Sequence, residues 1–100
     1  MIDFARIEGF DRDDGNLRKS EDKHGVTQAE AEQMFLNEPL LILRDLRHSD
    51  VELRFHALGR IDAGRRLHAT FTLRDQGTRI RVISARDMHR KERLRYEQET

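Results

Sequence analysis

The sequence predicts an α+β domain: an antiparallel sheet of three to four strands, with two helices on its N-terminal side and one at its C-terminal end. Three observations carry this. A capping pattern followed by helical apolar spacing marks the first third, alternation of apolar and polar residues marks residues 40–85, and a charged segment of helical character closes the chain. Helices segregated from a meander of strands are the α+β pattern. One hundred residues support a single core, and therefore one domain spanning 1–100, without room for a separate cofactor-binding lobe.

The opening IDFARIEGFDRD reads as a short strand and a turn, with Phe4, Ile7 and Phe10 as its buried residues. Asp13 or Asp14 is placed to cap a polar helix over residues 15–23, and Gly25 ends it in the left-handed conformation helix C-termini favour. Thr27-Gln28-Ala29-Glu30 is a capping box, with Val26 stapled on Ala31. Ala31, Met34 and Phe35 share one face of this second helix, and Pro39 stops it. Strands follow at residues 40–46 and 53–58, separated by the polar turn Arg47-His48-Ser49-Asp50; Leu53, Phe55 and Ala57 point one way.

After Asp62-Ala63-Gly64, a strand presents Leu67, Ala69, Phe71 and Leu73 on one face and Arg66, His68, Thr70, Thr72 and Arg74 on the other. Gln76-Gly77 turns the chain into residues 78–85. There Ile80 and Val82 take one side, while Arg79 and Arg81 share the other with Ile83 and Ala85. A last helix covers residues 90–97. One sheet face is thus free to be polar, gathering Thr70, Thr72, Arg74, Arg79 and Arg81 beside a basic helix.

Composition narrows the chemistry. With no cysteine there is no disulfide, thiolate nucleophile or cysteine-bound zinc, which fits a reducing cytoplasm. No apolar run reaches membrane-spanning length, and residues 1–10 carry three ionisable side chains where a leader needs an apolar segment, so a cytoplasmic protein with no membrane partner is expected. The net charge is zero, yet residues 1–22 hold seven acids against four bases, and residues 79–95 hold seven bases against two acids. The second segment is an electrostatic footprint for phosphate, or equally a solvated helix face laced with ion pairs.

Lys23-His24-Gly25-Val26, Thr72-Leu73-Arg74, IRVISAR at residues 80–86, and Lys91-Glu92-Arg93 followed by Tyr96 stand in an order that resembles the BrnT family. These are RelE-like ribonuclease toxins of bacterial type II toxin–antitoxin pairs. The resemblance implies a RelE-like fold, an endoribonuclease that inhibits translation, and no cofactor. It also implies neutralisation by a cognate ribbon–helix–helix antitoxin (BrnA-like), through which alone the toxin reaches operator DNA. The chain departs from the family where a tryptophan is usual, in Phe10-Asp11-Arg12-Asp13, with Asn16 and Ser20 at later positions; either position 12 is peripheral or the chain is an attenuated variant. The alternative to an enzyme is a catalytically silent module that binds its antitoxin and takes part in transcriptional autoregulation.

Metal-independent RNA cleavage needs a base near the 2′-hydroxyl, positive charge around the phosphorane and an acid for the departing 5′-oxygen. Arg74, Arg81 and Arg86 are the charge-stabilising candidates, since guanidinium grips phosphate through two parallel hydrogen bonds. Each has the alternative of pairing with Asp75, Asp87 or Glu92. His24 is the foremost acid or base, because imidazole titrates near neutrality, or else it caps the helix end. Glu92 and Tyr96, four apart on one helix face, act together or form a structural pair. Lys23, Arg79, Arg90 and Lys91 are the RNA-binding candidates. The other histidines, His48, His56, His68 and His89, have no metal-binding spacing, although His56 and His68 approach across a hairpin without a third ligand in view; no metal site is expected.

Overall fold

In the computed structural model, which describes residues 2–12, 14–45 and 53–100, helix α1 (Asp14–His24) is closed by Gly25 at a φ of +67°. Only glycine adopts that conformation without steric cost. Helix α2 (Gln28–Leu36) starts on the expected capping box: Glu30 N–H donates to Thr27 Oγ1 at 3.1 Å and Thr27 N–H to Glu30 Oε1 at 3.0 Å. Strands β2 (Leu41–Asp45), β3 (Arg54–Arg60), β4 (Arg66–Arg74) and β5 (Arg79–Asp87) form an antiparallel meander, and helix α3 (Arg90–Glu99) follows. The expected cap Asp13, the end of the 40–46 strand and the polar turn after it lie outside the described residues.

The sheet departs from the expected three-to-four-stranded antiparallel, RelE-like arrangement. Among the described residues it has five strands and is mixed, in the order β1-β5-β4-β3-β2, because β1 (Gly9–Phe10) adds to β5 in parallel. Glu8 N–H donates to Thr78 O at 2.7 Å and Asp11 N–H to Ile80 O at 2.8 Å. The sequence marks a short strand in this opening segment, but two residues have no alternation to read and the partner lies at the far end of the chain, which is why its place in the sheet and its direction are concealed. The two helices α1 and α2 accordingly follow this edge strand instead of opening the chain. Phe4 is also corrected: it lies in a 3-10 turn (Phe4–Arg6) and is 39% exposed.

Strand β5 is irregular. Thr70 faces Ser84 and Phe71 faces Val82, leaving Ile83 as an extra residue in a bulge. Beyond it the faces exchange. Ala85 therefore joins Ile80 and Val82 in the core, not Arg79 and Arg81 as simple alternation suggests, while Ser84 and Arg86 turn to the polar side.

The core lies between α2 and one sheet face. Ala31, Met34 and Phe35 pack on Ala57, Leu67, Ala69, Phe71, Ile80 and Val82. Phe71 is fully buried, edge-on to Phe35 at 5.1 Å and stacked on Phe55 at 5.4 Å between centroids; its burial contributes roughly 2–3 kcal/mol. On the other face a smaller cluster of Leu58, Met88 and Tyr96, flanked by Leu41 and Leu43, seats α3. Tyr96 fixes it by donating its hydroxyl to Pro39 O at 2.6 Å.

Candidate active site

The polar face of β3–β5 becomes the floor of a cleft. Cross-strand neighbours point the same way in an antiparallel sheet, so the pairs His56–Thr70, Leu58–His68, Thr70–Ser84 and His68–Arg86 share that floor. Lys23 and His24 at the end of α1 form one wall, and Lys91, Glu92 and Arg95 of α3 form another, enclosing a volume of about 790 Å³.

Arg65 holds the α1 wall in place. Its guanidinium donates to the carbonyls of Gly25 at 2.9 Å and His24 at 3.3 Å, and grips Asp87 at 2.6 and 3.1 Å. Hydrogen bonding from Arg65 lowers the Asp87 carboxyl, and the same pairing raises the guanidinium. Carbonyls at the helix end are thus capped by Arg65, and His24 lines the cleft.

The α3 wall is fixed by Glu92. His89 N–H donates to Glu92 Oε1 at 2.8 Å, and Arg86 donates to both carboxylate oxygens at 2.8 and 2.9 Å. Partial burial works to raise this carboxyl, but the hydrogen bonds from Arg86 and His89 and the adjacent positive charge outweigh it, holding the group down to about 2. Glu92 is therefore an anion that orients Arg86.

Between the walls lies a chain of three side chains. Asp45 Oδ2 is 3.2 Å from His56 Nε2, and His56 Nδ1 is 3.0 Å from His68 Nε2 and 3.2 Å from Thr70 Oγ1. With Asp45 ionised and both rings neutral, one proton assignment fits: His56 Nε2–H donates to Asp45, and His68 Nε2–H donates to His56 Nδ1. Any other places two acceptors or two donors face to face. Burial, and then the charge of Arg86, lower His68 to about 4 against the opposing pull of Glu92, so this ring is neutral at physiological pH.

Of the sequence-predicted residues, the cleft gathers Lys23, His24, Arg86, Lys91 and Glu92. Arg74 and Arg81 lie half-buried farther along the same sheet face, outside its lining. Arg79 pairs with Asp75 at 3.1 Å, and Arg90 is exposed at the start of α3. Tyr96 is separated from Glu92 in its surroundings: its ring is buried in the apolar cluster, which raises its phenol, and its hydroxyl is taken by Pro39. Sequence reasoning brought His56 and His68 together but gave them no role, and it missed Asp45, whose link needs the β2–β3 register.

Arg12, at the position of departure from the family, donates to both oxygens of Glu32 at 3.1 Å and does not line the cleft.

Fold and cleft together define a small domain with one sheet face given to a core and the other to a basic, histidine-containing recess. The chain belongs to the family described as ribonuclease toxin, BrnT, of type II toxin–antitoxin system, whose family model matches residues 13–92. No curated relative matches the chain. Family membership implies a ribonuclease toxin with RNA targets and an antitoxin partner. Among the described residues, no helix is long and apolar enough to cross a membrane.

Proposed function

We propose that the protein is a metal-independent endoribonuclease toxin of the cytoplasm that cleaves RNA in this cleft and so inhibits translation. The observation that carries the reading is the convergence of Lys23, Arg86, Lys91 and Arg95 around a pair of histidines. Four cations over one recess favour a polyanionic strand, and a fixed guanidinium offers donors to the developing phosphorane charge. Arg86 supplies that guanidinium, oriented by Glu92. Lys23 and Lys91 bind flanking phosphates, with Arg74, Arg79, Arg81 and Arg90 extending the basic track beyond the cleft. His24 protonates the departing 5′-oxygen. The position of Arg12 outside the lining supports the reading in which its departure from tryptophan is peripheral instead of attenuating.

In the same proposal a cognate ribbon–helix–helix, DNA-binding antitoxin of the BrnA type neutralises the toxin, which meets operator DNA only through it. The test is incubation of single-stranded RNA with the purified, folded protein in the presence of chelator. Cleavage is expected, and His24→Gln is expected to slow it on the order of a hundredfold. Intact RNA at high protein concentration would leave the catalytically silent, antitoxin-binding module as the function. Retention of RNA without cleavage, weakening steeply with salt, would mean an RNA-binding protein instead.

A further inference from the structure

The proton acceptor for the 2′-hydroxyl is still unassigned among the residues of the cleft, and their surroundings discriminate between them. Glu92 is bound at both oxygens by Arg86 and holds a proton too weakly to serve. His68 has a side chain only 10% exposed, and its Nδ1 is buried without a hydrogen-bond partner among the described residues. Asp45 is 5% exposed and does not line the cleft. His56 differs from all three: its side chain is 30% exposed, its Nε2 is held by Asp45, and its Nδ1 carries a lone pair on the side of Thr70 and His68, both of which line the cleft.

We propose that His56 is the general base of the cleavage and that Asp45 is its positioning residue, an assignment that rests on the nuclease reading above. The 2′-hydroxyl takes the place at His56 Nδ1 now shared by the His68 N–H and the Thr70 hydroxyl. Its proton passes to Nδ1, and the electron pair left on the oxygen forms the bond to phosphorus. The bond from phosphorus to the 5′-oxygen breaks, and that oxygen leaves with the proton of His24. The products are a 2′,3′-cyclic phosphate and a 5′-hydroxyl end, with no change in oxidation state.

Asp45 acts through His56 and touches no reacting atom. It selects the tautomer with Nδ1 unprotonated, and its charge stabilises the imidazolium formed as the proton arrives. Other charges around His56 come from every neighbouring element. Arg86 of β5 and Lys23 of α1 oppose a positive ring, as does Arg95 of α3, whereas Glu92 favours it. His24, His89 and Lys91 border the same recess, and His68 of β4 adds no charge above pH about 4.

The experiment measures cleavage of a short single-stranded RNA, with chelator, across pH for the full chain and for His56→Gln, His56→Ala and Asp45→Asn, with folding checked by circular dichroism. His56→Gln is expected to lose activity on the order of a hundredfold or more, and added imidazole to restore part of it to His56→Ala. Asp45→Asn is expected to lower kcat on the order of a hundredfold, leave KM near its original value and move the acid limb of the kcat profile to lower pH. If Asp45→Asn does not fold, imidazole rescue of His56→Ala decides the assignment of the base. RNA cleaved as fast by folded His56→Gln, or a pH profile indifferent to Asp45→Asn, overturns the assignment while leaving the nuclease reading intact. RNA untouched by the unaltered protein removes both.

Discussion

On one face of β3, β4 and β5, the rings of Phe55 and Phe71 and the side chains of Ala57, Leu67 and Ala69 lie in the core beneath α2. On the other, the same three strands present His56, His68, Thr70, Ser84 and Arg86 to a cleft walled by α1 and α3. The first face is held by burial, which is non-directional and tolerates exchange of one apolar shape for another. The second is held by hydrogen bonds whose donors and acceptors must alternate along a chain, so a single changed proton is felt. A five-stranded sheet can thus anchor a domain on one side while keeping polar groups oriented on the other.

The comparison is broken most severely at Phe71. Phe71→Ala removes the ring between Phe35 and Phe55 and is expected to cost about 4 kcal/mol, a large part of the stability of a domain this size. Urea unfolding measures it, and a loss below about 1 kcal/mol would show that the core closes over the gap.

Acid tests the opposite face. Because His68 titrates lower folded than unfolded, its contribution is complete above its ordinary value of 6.5 and is lost as pH falls toward about 4. That loss is expected to reach about 3 kcal/mol, with Glu92 adding a further decline between 4.5 and about 2. Urea midpoints as a function of pH should show the first decline in the unaltered protein and a flatter profile in His68→Gln. Equal profiles would remove His68 as its source.

The smallest effect is expected at Arg12, which belongs to neither face. Arg12→Trp gives up an ion pair to Glu32 whose arginine side chain is 61% exposed, a change under about 1 kcal/mol, and should leave RNA cleavage unaltered. A sharper toxicity on expression without antitoxin would instead mark position 12 as part of substrate binding.

The same contrast explains what the sequence disclosed. Alternation in β4 and the capping box at Thr27 express forces acting between near neighbours, so Leu67, Ala69, Phe71 and the start of α2 were legible. His24, Lys23, Arg86, Lys91 and Glu92, each named from a contiguous motif, come together around the cleft. The pairing and direction of the opening strand were not legible, since they depend on β5, at the other end of the chain. Nor was Asp45, whose tie to His56 is set by the register of two strands. Tyr96 carried a motif suggestive of chemistry, yet its hydroxyl is engaged by Pro39.

The extra residue in β5 has a consequence for how this chain can vary. Counted by parity, Ser84 and Arg86 belong with Ile80 and Val82, and in an unbroken strand all four would enter the core. Ile83 works as a phase shifter, letting a tetrapeptide written in one alternation be read in the other. Substitution at position 83 preserves that shift, and loss of Ile83 would make the strand regular with Ser84 and Arg86 still on the polar side and Ala85 still inward. This segment is therefore open to drift both by substitution of the extra residue and by its loss.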